Sequence, residues 1–306
     1  MITYDTILAV IDNNVDTQPA LSRALELAEK TDATVIALLV VYDFSYEMTT
    51  MLSKNEREAM RDAVLNDQRN WLNEEIRRYT KRPVEVVIKW QSRVFEAIIG
   101  TAIQCNADLV VKSSHQTADL VSVIFTPTDW HLLRKCPLPV LLVKEHAWPL
   151  YGNIIAAINV GSEDREHLQL NNKITRIAQD YASLLTGNVH LVSAYPPAPV
   201  SIALEIPEFD IQAYHQAVQQ HHQQEMVRHA EQYQQVAEHC HVREGLPEKV
   251  VAHMADSLDA ELVVIGTVGR VGLSAAFIGN TAERVIDTLQ CDVLAIKPDG
   301  FESPTF

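Results

Sequence analysis

Residues 260–297 read AELVVIGTVGRVGLSAAFIGNTAERVIDTLQCDVLAIK, and this stretch decides the fold. Its apolar run at 262–265 is short and rich in β-branched residues, as in a strand buried on both faces. A loop with three glycines follows, then a helical apolar pattern at 285–289 and a second apolar run at 293–296. The stretch therefore predicts two buried parallel strands joined through a glycine loop and a helix.

The helix in this stretch is expected to begin at Asn280, because Asn280 and Glu283 have the spacing of a capping box. Glycines in a loop let backbone come close to a ligand, and a helix start offers unpaired N–H groups and a positive dipole end. Gly266, Gly279, Asn280 and Thr281 are therefore candidates for binding a phosphate. The alternative is that the glycines only make turns and that Asn280 only caps the helix.

Length and charge limit the classes of protein that fit this chain. A chain of 306 residues exceeds what one hydrophobic core usually organises, so two domains are expected. The net charge of −15 argues against a surface that tracks the phosphates of DNA or RNA. No stretch approaches the ~20 apolar residues of a membrane span and no secretory leader is recognised, which predicts a cytoplasmic protein. The four cysteines are widely spaced and are expected to be buried thiols, with disulfides or catalysis as alternatives.

The chain contains an internal duplication. A shift of 153 residues aligns 108–144 with 261–297 without a gap and brings many identical residues together. We therefore expect two domains, 1–146 and 151–306, with the seam marked by Trp148. In each half apolar runs alternate with helical patterns, which predicts the α/β class, with two tandem doubly wound, Rossmann-like parallel sheets of about five strands each.

The spacing Gly266-x2-Gly269-x9-Gly279 resembles the nucleotide loop of the universal stress proteins, whose ATP-binding members have Ser or Thr after the third glycine. This chain has Asn280 there and Thr281 one place later. The resemblance extends over both halves and is to tandem members of the family. It implies a cytoplasmic stress-response protein with roles in survival of DNA damage and in cell-surface behaviour such as motility. It also implies ATP or a related nucleotide as the small-molecule ligand.

Further residues of the second half are candidates for contact with the ligand, one from the same resemblance and two from their positions. The family's base-contacting residue stands at the end of a domain's first strand, which gives that role to Asn159, where nucleotide-binding relatives have Asp. Ser193 is placed at the end of the next strand, at the edge where doubly wound sheets bind ligands. Arg270 follows the second glycine and could neutralise a phosphate, the alternative being an ordinary surface arginine.

The first half differs from the second at these places. Its counterparts of the three glycines are Ser113, Gln116 and Thr126, and Pro127 follows without an N–H group. Side chains there would crowd a phosphate held by backbone, so we expect the first half not to bind a nucleotide in the family manner. Asp12 stands where the second half has Asn159.

Seven of the twelve histidines fall between 215 and 253, several of them on a helix expected over 209–240. His222 precedes Glu225 by three residues and Glu225 precedes His229 by four, so the three side chains share one face of the helix. They could ligate zinc together with a residue from elsewhere. The alternatives are that these imidazoles line a domain or subunit interface, or that they are solvated.

Three functions stay open on these grounds. The first is a stress-response protein whose second domain senses a nucleotide or another small metabolite. The second is a slow ATP hydrolase, although no HExxH, GxSxG or P-loop motif marks an enzyme. The third is a carrier or interaction module in which the apolar segment 196–207 holds a hydrophobic ligand, with zinc nearby. The last strands of the halves are expected to pair within the chain, and further homodimerisation is left open.

Overall fold

The computed structural model describes residues 3–43, 53–116, 123–197, 210–267, 279–301 and 303. The strands in these ranges are β1 (Thr6–Ile11), β2 (Thr34–Val41), β3 (Glu85–Trp90), β4 (Leu109–Ser113), β5 (His115–Gln116), β6 (Val123–Ile124), β7 (Val140–Val143), β8 (Asn153–Ala157), β9 (Asn188–Tyr195), β10 (Cys240–Glu244), β11 (Ala260–Gly266) and β12 (Asp292–Ile296). The α-helices are α1 (Pro19–Thr31), α2 (Lys54–Tyr79), α3 (Val94–Gln104), α4 (Pro127–Lys135), α5 (Arg165–Leu185), α6 (Ile211–Gln232), α7 (Pro247–Ser257) and α8 (Asn280–Thr288).

One ten-stranded sheet runs through both halves in the order β10-β9-β8-β11-β12-β7-β4-β1-β2-β3. Each half supplies five parallel strands in the same internal order. The halves meet where β12 runs antiparallel to β7, with Leu294 opposite Leu141. The predicted α/β fold with two doubly wound units is therefore confirmed, and the last strands do pair within the chain. This pairing covers one edge of each five-stranded unit.

Helices cover both faces of the sheet, which explains why its central strands are apolar on both faces. Val263 and Val264 are adjacent in β11 and have no exposed surface, yet they belong to different cores because successive side chains of a strand point to opposite faces. One core lies beneath α1, α2, α5 and α6, and the other beneath α3, α4, α7 and α8. Among the residues described, no helix combines the length and the apolar character that crossing a membrane requires.

The helix expected over 209–240 is shorter than predicted. It ends at Gln232, and Gln234 then adopts a left-handed backbone conformation with φ +54°. A 3-10 turn over Ala237–His239 leads into β10. The continuous polar pattern therefore includes a turn that hydrophobic periodicity alone could not separate from the helix.

The capping box expected at the start of α8 is absent. The helix does begin at Asn280, but Gly279 is its N-cap residue and no side-chain hydrogen bond caps it. Glu283, the expected capping partner, forms an ion pair with Arg134 of the other half at 3.0 Å. Glu283 therefore forms a contact between the halves in place of the cap that the local pattern predicts.

Trp148 is the buried residue of the seam, whereas residues 145–147 and 149–150 beside it are exposed. Trp148 is 8% exposed, and the guanidinium carbon of Arg23 lies 3.7 Å from the centre of its ring. Asp292 at the start of β12 accepts the N–H of Lys144 at 2.8 Å and lies 3.4 Å from Arg23 Nε. Residues from α1, the seam and β12 thus form one packed cluster that joins the halves.

Two lysines at equivalent positions of the repeat each contact a helix of the opposite half. Lys144 Nζ donates to the carbonyl of Leu289 at the end of α8, and Lys297 Nζ donates to the carbonyl of Leu133 in the last turn of α4. Burial lowers the pKa of Lys144 to about 8 and that of Lys297 to about 7. Because the last carbonyls of a helix lack partners within it, each half satisfies a helix end of the other.

Candidate functional site

A cleft of about 1410 Å³ opens in the second half at the carboxyl ends of β8 and β11. Strand β8 has β9, the next strand along the chain, on one side and β11 on its other side. This is the switch point of the sheet, where doubly wound folds bind ligands. Helices α5, α6 and α7 and the start of α8 form the walls. The polar side chains of the lining, among the described residues, are Asn159, His167, Asn171, Tyr214, His221, His222, Thr267, Asn280 and Thr281.

Asn159 is exposed at the β8 end of the cleft. Asn171 on α5 holds its backbone: the Oδ1 of Asn171 accepts the Asn159 N–H at 3.0 Å, and its Nδ2 donates to the Asn159 carbonyl at 2.8 Å. In the first half Gln18 holds the backbone of Asp12 in the same way, at 3.2 and 2.6 Å. The strand end that carries the predicted base-contacting residue is thus fixed by an amide clamp that both halves share.

Gly266 is required by packing against α5. A Cβ at this position would lie 2.5 Å from Leu170 Cδ2 and 2.9 Å from Leu170 Cγ. The next residue, Thr267, donates its N–H at 3.0 Å and its hydroxyl at 3.3 Å to the carbonyl of Ile296, and its own carbonyl accepts the N–H of Gly279 at 2.9 Å. These bonds tie residues 267 and 279 together at the edge of the cleft.

The start of α8 faces the cleft. Gly279, Asn280 and Thr281 are exposed and line it, and, apart from its chain neighbours, none of the described residues has an atom within 4 Å of the place where a Cβ at Gly279 would be. The first N–H groups of a helix have no partner within it and carry the positive end of its dipole. Among the described residues no side chain caps them, so they are available to an anion. Gly269 and Arg270, predicted for the same ligand group, lie outside the described residues.

The first half closes the corresponding place with an ion pair. Lys112 Nζ lies 2.7 Å from Asp129 Oδ1, and Asp129 has no exposed surface. Asp129 also accepts the N–H and the hydroxyl of Thr126, at 2.7 and 2.8 Å, which caps α4. The 153-residue shift places Lys112 on Ile265 and Asp129 on Ala282, both of which line the cleft of the second half. That the first half binds no nucleotide in the family manner stays a prediction, and this ion pair gives it a physical basis.

The structure places Ser193 behind the cleft wall. Ser193 is 1% exposed, and its hydroxyl accepts the N–H of Val160 at 3.3 Å. Its neighbours in β9, Val192 and Ala194, line the cleft from the other face of the strand. The predicted strand end is therefore part of the cleft, but Ser193 supports the backbone there.

The structure does not bring His222, Glu225 and His229 together at one site. Each side chain has different contacts. Glu225 pairs with Arg228 at 2.5 Å, and His229 Nε2 lies 2.7 Å from Thr175 Oγ1 on α5. His222 lines the cleft. Within the described ranges no group of three or more His, Cys, Asp or Glu side chains is placed to hold a metal ion, so the zinc hypothesis gains no support.

Sequence reasoning missed the contribution of α5 to the cleft. His167 and Asn171 line it, together with Leu170 and Ile174. The signal that could have identified Asn171 is its correspondence to Gln18, since each is an amide residue that follows the end of its half's first strand. The apolar lining could not be identified in advance, because α5 and α6 reach the cleft only through the tertiary fold.

The chain matches the profile of the universal stress protein family over residues 3–144 and 152–297. It is 47% identical over 307 residues to universal stress protein E of Escherichia coli K12, covering 99% of this chain and 97% of that one. It is 41% identical over 302 residues to the universal stress protein E homolog of Haemophilus influenzae, covering 96% and 98%. In structure it is similar to a putative universal stress protein of Pseudomonas aeruginosa UCBPP-PA14, with 32% identity, a TM-score of 0.73 and coverage of 97% and 95%.

Proposed function

The chain belongs to the universal stress protein family, whose role is in the stress response, and we propose that the cleft of its second half binds a nucleotide or a related small metabolite. On this proposal residues 1–146 and 151–306 are two domains, and only the second binds the ligand. The protein senses this ligand in the cytoplasm and contributes to resistance against DNA-damaging and other stresses.

The observation that carries the proposal is the uncapped start of α8 at the switch point of the sheet. An anionic group there would accept hydrogen bonds from the N–H groups of the first turn, at the positive end of the helix dipole. The first half has the same fold but occupies the equivalent place with its own carboxylate, Asp129. The difference between the halves is therefore a difference in the capacity to take an external anion.

The other parts of the cleft suit the remainder of a nucleotide such as ATP. The amide of Asn159 offers both a donor and an acceptor, as the edge of a base requires. Apolar side chains, among them Ile158, Val192 and Val251, provide walls against which a flat ring can pack. Asn159, Ile158 and Val192 lie on or just after β8 and β9, whereas α8 follows β11. A ligand that spans the cleft would therefore place its ring and its anionic group on different sides of the cleft.

The apolar lining favours a second candidate function, the binding of a hydrophobic ligand. Aliphatic residues are the largest group in the described lining, which contains no Lys, Arg, Asp or Glu. The apolar segment 196–207, which was expected to cover such a ligand, lies outside the described residues beyond Pro197. Hydrolysis of ATP has less support, because the described lining offers no carboxylate to orient a water molecule.

Titration calorimetry of the purified protein with ATP, with and without Mg²⁺, tests the nucleotide proposal. The informative variant is Gly279→Val, because its side chain would stand at the start of α8 without meeting any other residue of the described part of the chain. Gly100→Val on α3 is the matched control, since among the described residues outside its own helix turn no atom lies within 4 Å of a Cβ there, and Gly100 belongs to the first half and does not line the cleft. We expect binding by the wild type, a loss of at least about tenfold, or ~1.4 kcal/mol, in Gly279→Val, and no loss in Gly100→Val.

Three other results of these measurements would favour a different conclusion. Equal affinity in Gly279→Val would place the nucleotide away from α8 and refute the proposed site. No binding by the wild type, together with a co-purifying apolar molecule in native mass spectrometry, would favour the hydrophobic ligand. Release of phosphate that is lost in Gly279→Val would establish a hydrolase.

A further inference from the structure

Three histidines lie together at the outer edge of the sheet in the second half, toward the amino ends of β9 and β10. His190 on β9 is 6% exposed, and its ring centre lies 5.3 Å from that of His241 on β10 and 4.4 Å from that of His239 in the 3-10 turn. Strand β10 is the last strand of the sheet in this half and pairs with β9. The cluster therefore joins an edge strand to its neighbour through side chains as well as through backbone.

A chain of hydrogen bonds fixes the proton positions in this cluster. Asn153 Nδ2 donates to the carbonyl of Leu258 at 2.7 Å, and Asn153 Oδ1 lies 3.2 Å from His190 Nε2. An amide oxygen only accepts, so His190 Nε2 carries the hydrogen and Nδ1 of the neutral ring is an acceptor. His241 Nε2, 3.1 Å from this Nδ1, therefore donates to it.

The fold itself does not require these histidines. The strand registers place Ile36 of β2 where β9 has His190, and Val87 of β3 where β10 has His241. Both belong to the apolar core on that face of the sheet or pack against it. The two halves thus build the same edge with different chemistry, and only the half with the open cleft has the histidine pair.

The surroundings of the pair disfavour a positive charge. Burial, together with His239 and His241, lowers the pKa of His190 to about 4, and burial, Arg243 and His239 lower the pKa of His241. Helices α5 and α7 pack on β9, and their charged or histidine side chains nearest in sequence to this end of the sheet are exposed or line a surface groove with His239. They are Arg176 and Asp180 on α5, and His253, Asp256 and Asp259 on or just after α7.

A second proton on His190 would therefore act against the closed arrangement. It would occupy Nδ1 and face the N–H of His241. A change of tautomer in His241 would restore a hydrogen bond, but the charge would still lie in a buried place beside histidine and arginine. Moving β10 away from β9 exposes His190 to water, which solvates the charge.

The end of β10 connects this cluster to the cleft. Glu244, the last residue of β10, lies 2.7 Å from Nε2 of His215 on α6, and the next residue, Gly245, donates its N–H to the carbonyl of Tyr195 at 2.9 Å. Residues 245–247 line the cleft, and so does Val251 on α7. Separation of β10 from β9 would therefore move part of the wall of the cleft.

We propose that the His190–His241 pair is an acid-sensitive fastening of β10: when His190 takes up a proton, its bond with His241 is lost, β10 separates from β9, and the wall of the cleft that follows β10 moves with it. The release of β10 does not depend on what the cleft binds. Its use, the release of a ligand on acidification, rests on the ligand-binding function proposed for the cleft.

The direction of the effect follows from the two forms of His190. In the released form the ring meets water and has an ordinary pKa of about 6.5, whereas in the closed form its pKa is about 4. The released form therefore binds more protons between these two values, and release becomes more favourable as the pH falls below about 6.5. From about pH 7 to about pH 5 the ratio of released to closed form should rise roughly twentyfold.

Hydrogen exchange of backbone amides, corrected for the effect of pH on the intrinsic rate, measures this release. Strand β3 is the internal control, because it is the other edge strand of the same sheet and contains no histidine. From about pH 7 to about pH 5, the amides of β10 that bond to β9 should lose roughly twentyfold in protection relative to those of β3. This comparison needs only the wild-type protein, and an equal change in the two strands would overturn the proposal.

The double variant His190→Ile, His241→Val introduces the residues that the first half has at these places. In this variant β10 should keep its protection relative to β3 on acidification. His253→Ala, at an exposed position of α7, is the matched control and should lose protection as the wild type does. A double variant that still loses protection at about pH 5 would refute the role of the pair.

The effect on the cleft is measured by the same exchange experiment with ATP. If ATP binds only the closed form, a concentration about ten times its Kd at about pH 5 should raise the protection of β10 roughly tenfold and leave β3 unchanged. ATP that binds without protecting β10 would overturn the link between the strand and the cleft.

The outcomes also separate this inference from the nucleotide proposal. If ATP binds and β10 loses no more protection than β3 on acidification, the nucleotide function stands and the acid-sensitive fastening is refuted. If ATP does not bind, but β10 loses protection in the wild type and not in the double variant, the nucleotide function fails and the release of β10 by acid stands.

Discussion

Asp292 joins the two halves at their seam, and its replacement by alanine is the perturbation that best tests how they are held together. The carboxylate has no exposed surface. Its Oδ1 accepts the N–H of Lys144 at 2.8 Å and lies 3.5 Å from His146 Nδ1, while its Oδ2 lies 3.4 Å from Arg23 Nε. The repeat has Pro139 at the equivalent place, so no second copy of this contact can compensate for its loss.

The expected cost follows from what the substitution leaves behind. Arg23, 3% exposed, would lose its buried counter-charge, and the N–H of Lys144 would lose its acceptor. Breaking a buried ion pair from one side costs about 3–5 kcal/mol. Arg23 keeps Glu26 at 2.5 Å and the carbonyl of His146 at 2.8 Å, so we expect the lower end, about 3 kcal/mol.

Differential scanning calorimetry at about pH 8, above the pKa of about 7 that burial gives Asp292, measures this effect. With an unfolding entropy of ~2.1 cal/mol/K per residue, a loss of about 3 kcal/mol lowers the Tm of a chain of this length by roughly 5 °C. Asp287→Ala, at an exposed position of α8, is the matched control and should stay within about 0.5 kcal/mol of the wild type.

A double variant distinguishes the ion pair from the packing. Burial raises the pKa of Asp292 to about 7, which means that keeping its carboxylate ionised in the folded protein opposes folding. Arg23→Met with Asp292→Leu removes both charges and should therefore recover most of the stability that Asp292→Ala loses. The reasoning is refuted if Asp292→Ala unfolds within 1 °C of Asp287→Ala, or if the double variant is no more stable than Asp292→Ala.

Three further perturbations test other parts of the structure. Gly266→Ala should destabilise the protein by about 1–3 kcal/mol, because its Cβ would meet Leu170 at 2.5 Å; an unchanged Tm would contradict this packing. Lys297→Met should change the pH dependence of urea unfolding. Burial beside the Leu133 carbonyl lowers the pKa of Lys297 to about 7, so the unfolded chain binds more protons above that pH. Wild-type stability should then rise relative to the variant from about pH 7 to about pH 10, and parallel curves would argue against a buried lysine. Thr126→Ala should cost about 1 kcal/mol through loss of the α4 cap yet leave ATP affinity unchanged in calorimetry, whereas weaker ATP binding would implicate the first half.

The parts of the fold that could be predicted are those set by short-range patterns and by the repeat. Apolar runs such as 262–265 predict buried strands because the sheet is covered on both faces. The duplication carries the assignments of one half over to the other, and pairing of β7 with β12 follows from the need to cover two apolar edges. None of these conclusions requires knowledge of a distant side-chain partner.

The capping-box prediction failed because it depended on such a partner. Glu283 has the spacing of a capping residue, but Arg134 from the other half binds it. The zinc hypothesis stays a prediction without support, since Arg228, three residues later on the same helix, pairs with Glu225. Spacing along a helix shows which side chains can contact each other. It does not show whether another charged residue binds one of them instead.

Within the candidate site, the strand ends and the start of α8 could be located from the sequence, but the direction of individual side chains could not. Ser193 is one residue away from the cleft-lining Val192 and Ala194, and a step of one along a strand reverses the face. The place of His222 depends on Gly161, which lies on a different element. Contacts of this kind become visible only when α5 and α6 are packed on the sheet.

Photo-cross-linking with 8-azido-ATP, followed by mass spectrometry of the labelled peptides, tests most directly whether the second half is the one that binds a nucleotide. We predict that the label falls on peptides of the cleft, those containing Asn159, His222 or Val251, and that unlabelled ATP competes for it. Labelling confined to the first half, or labelling that unlabelled ATP does not reduce, would contradict the assignment of the cleft as the nucleotide site.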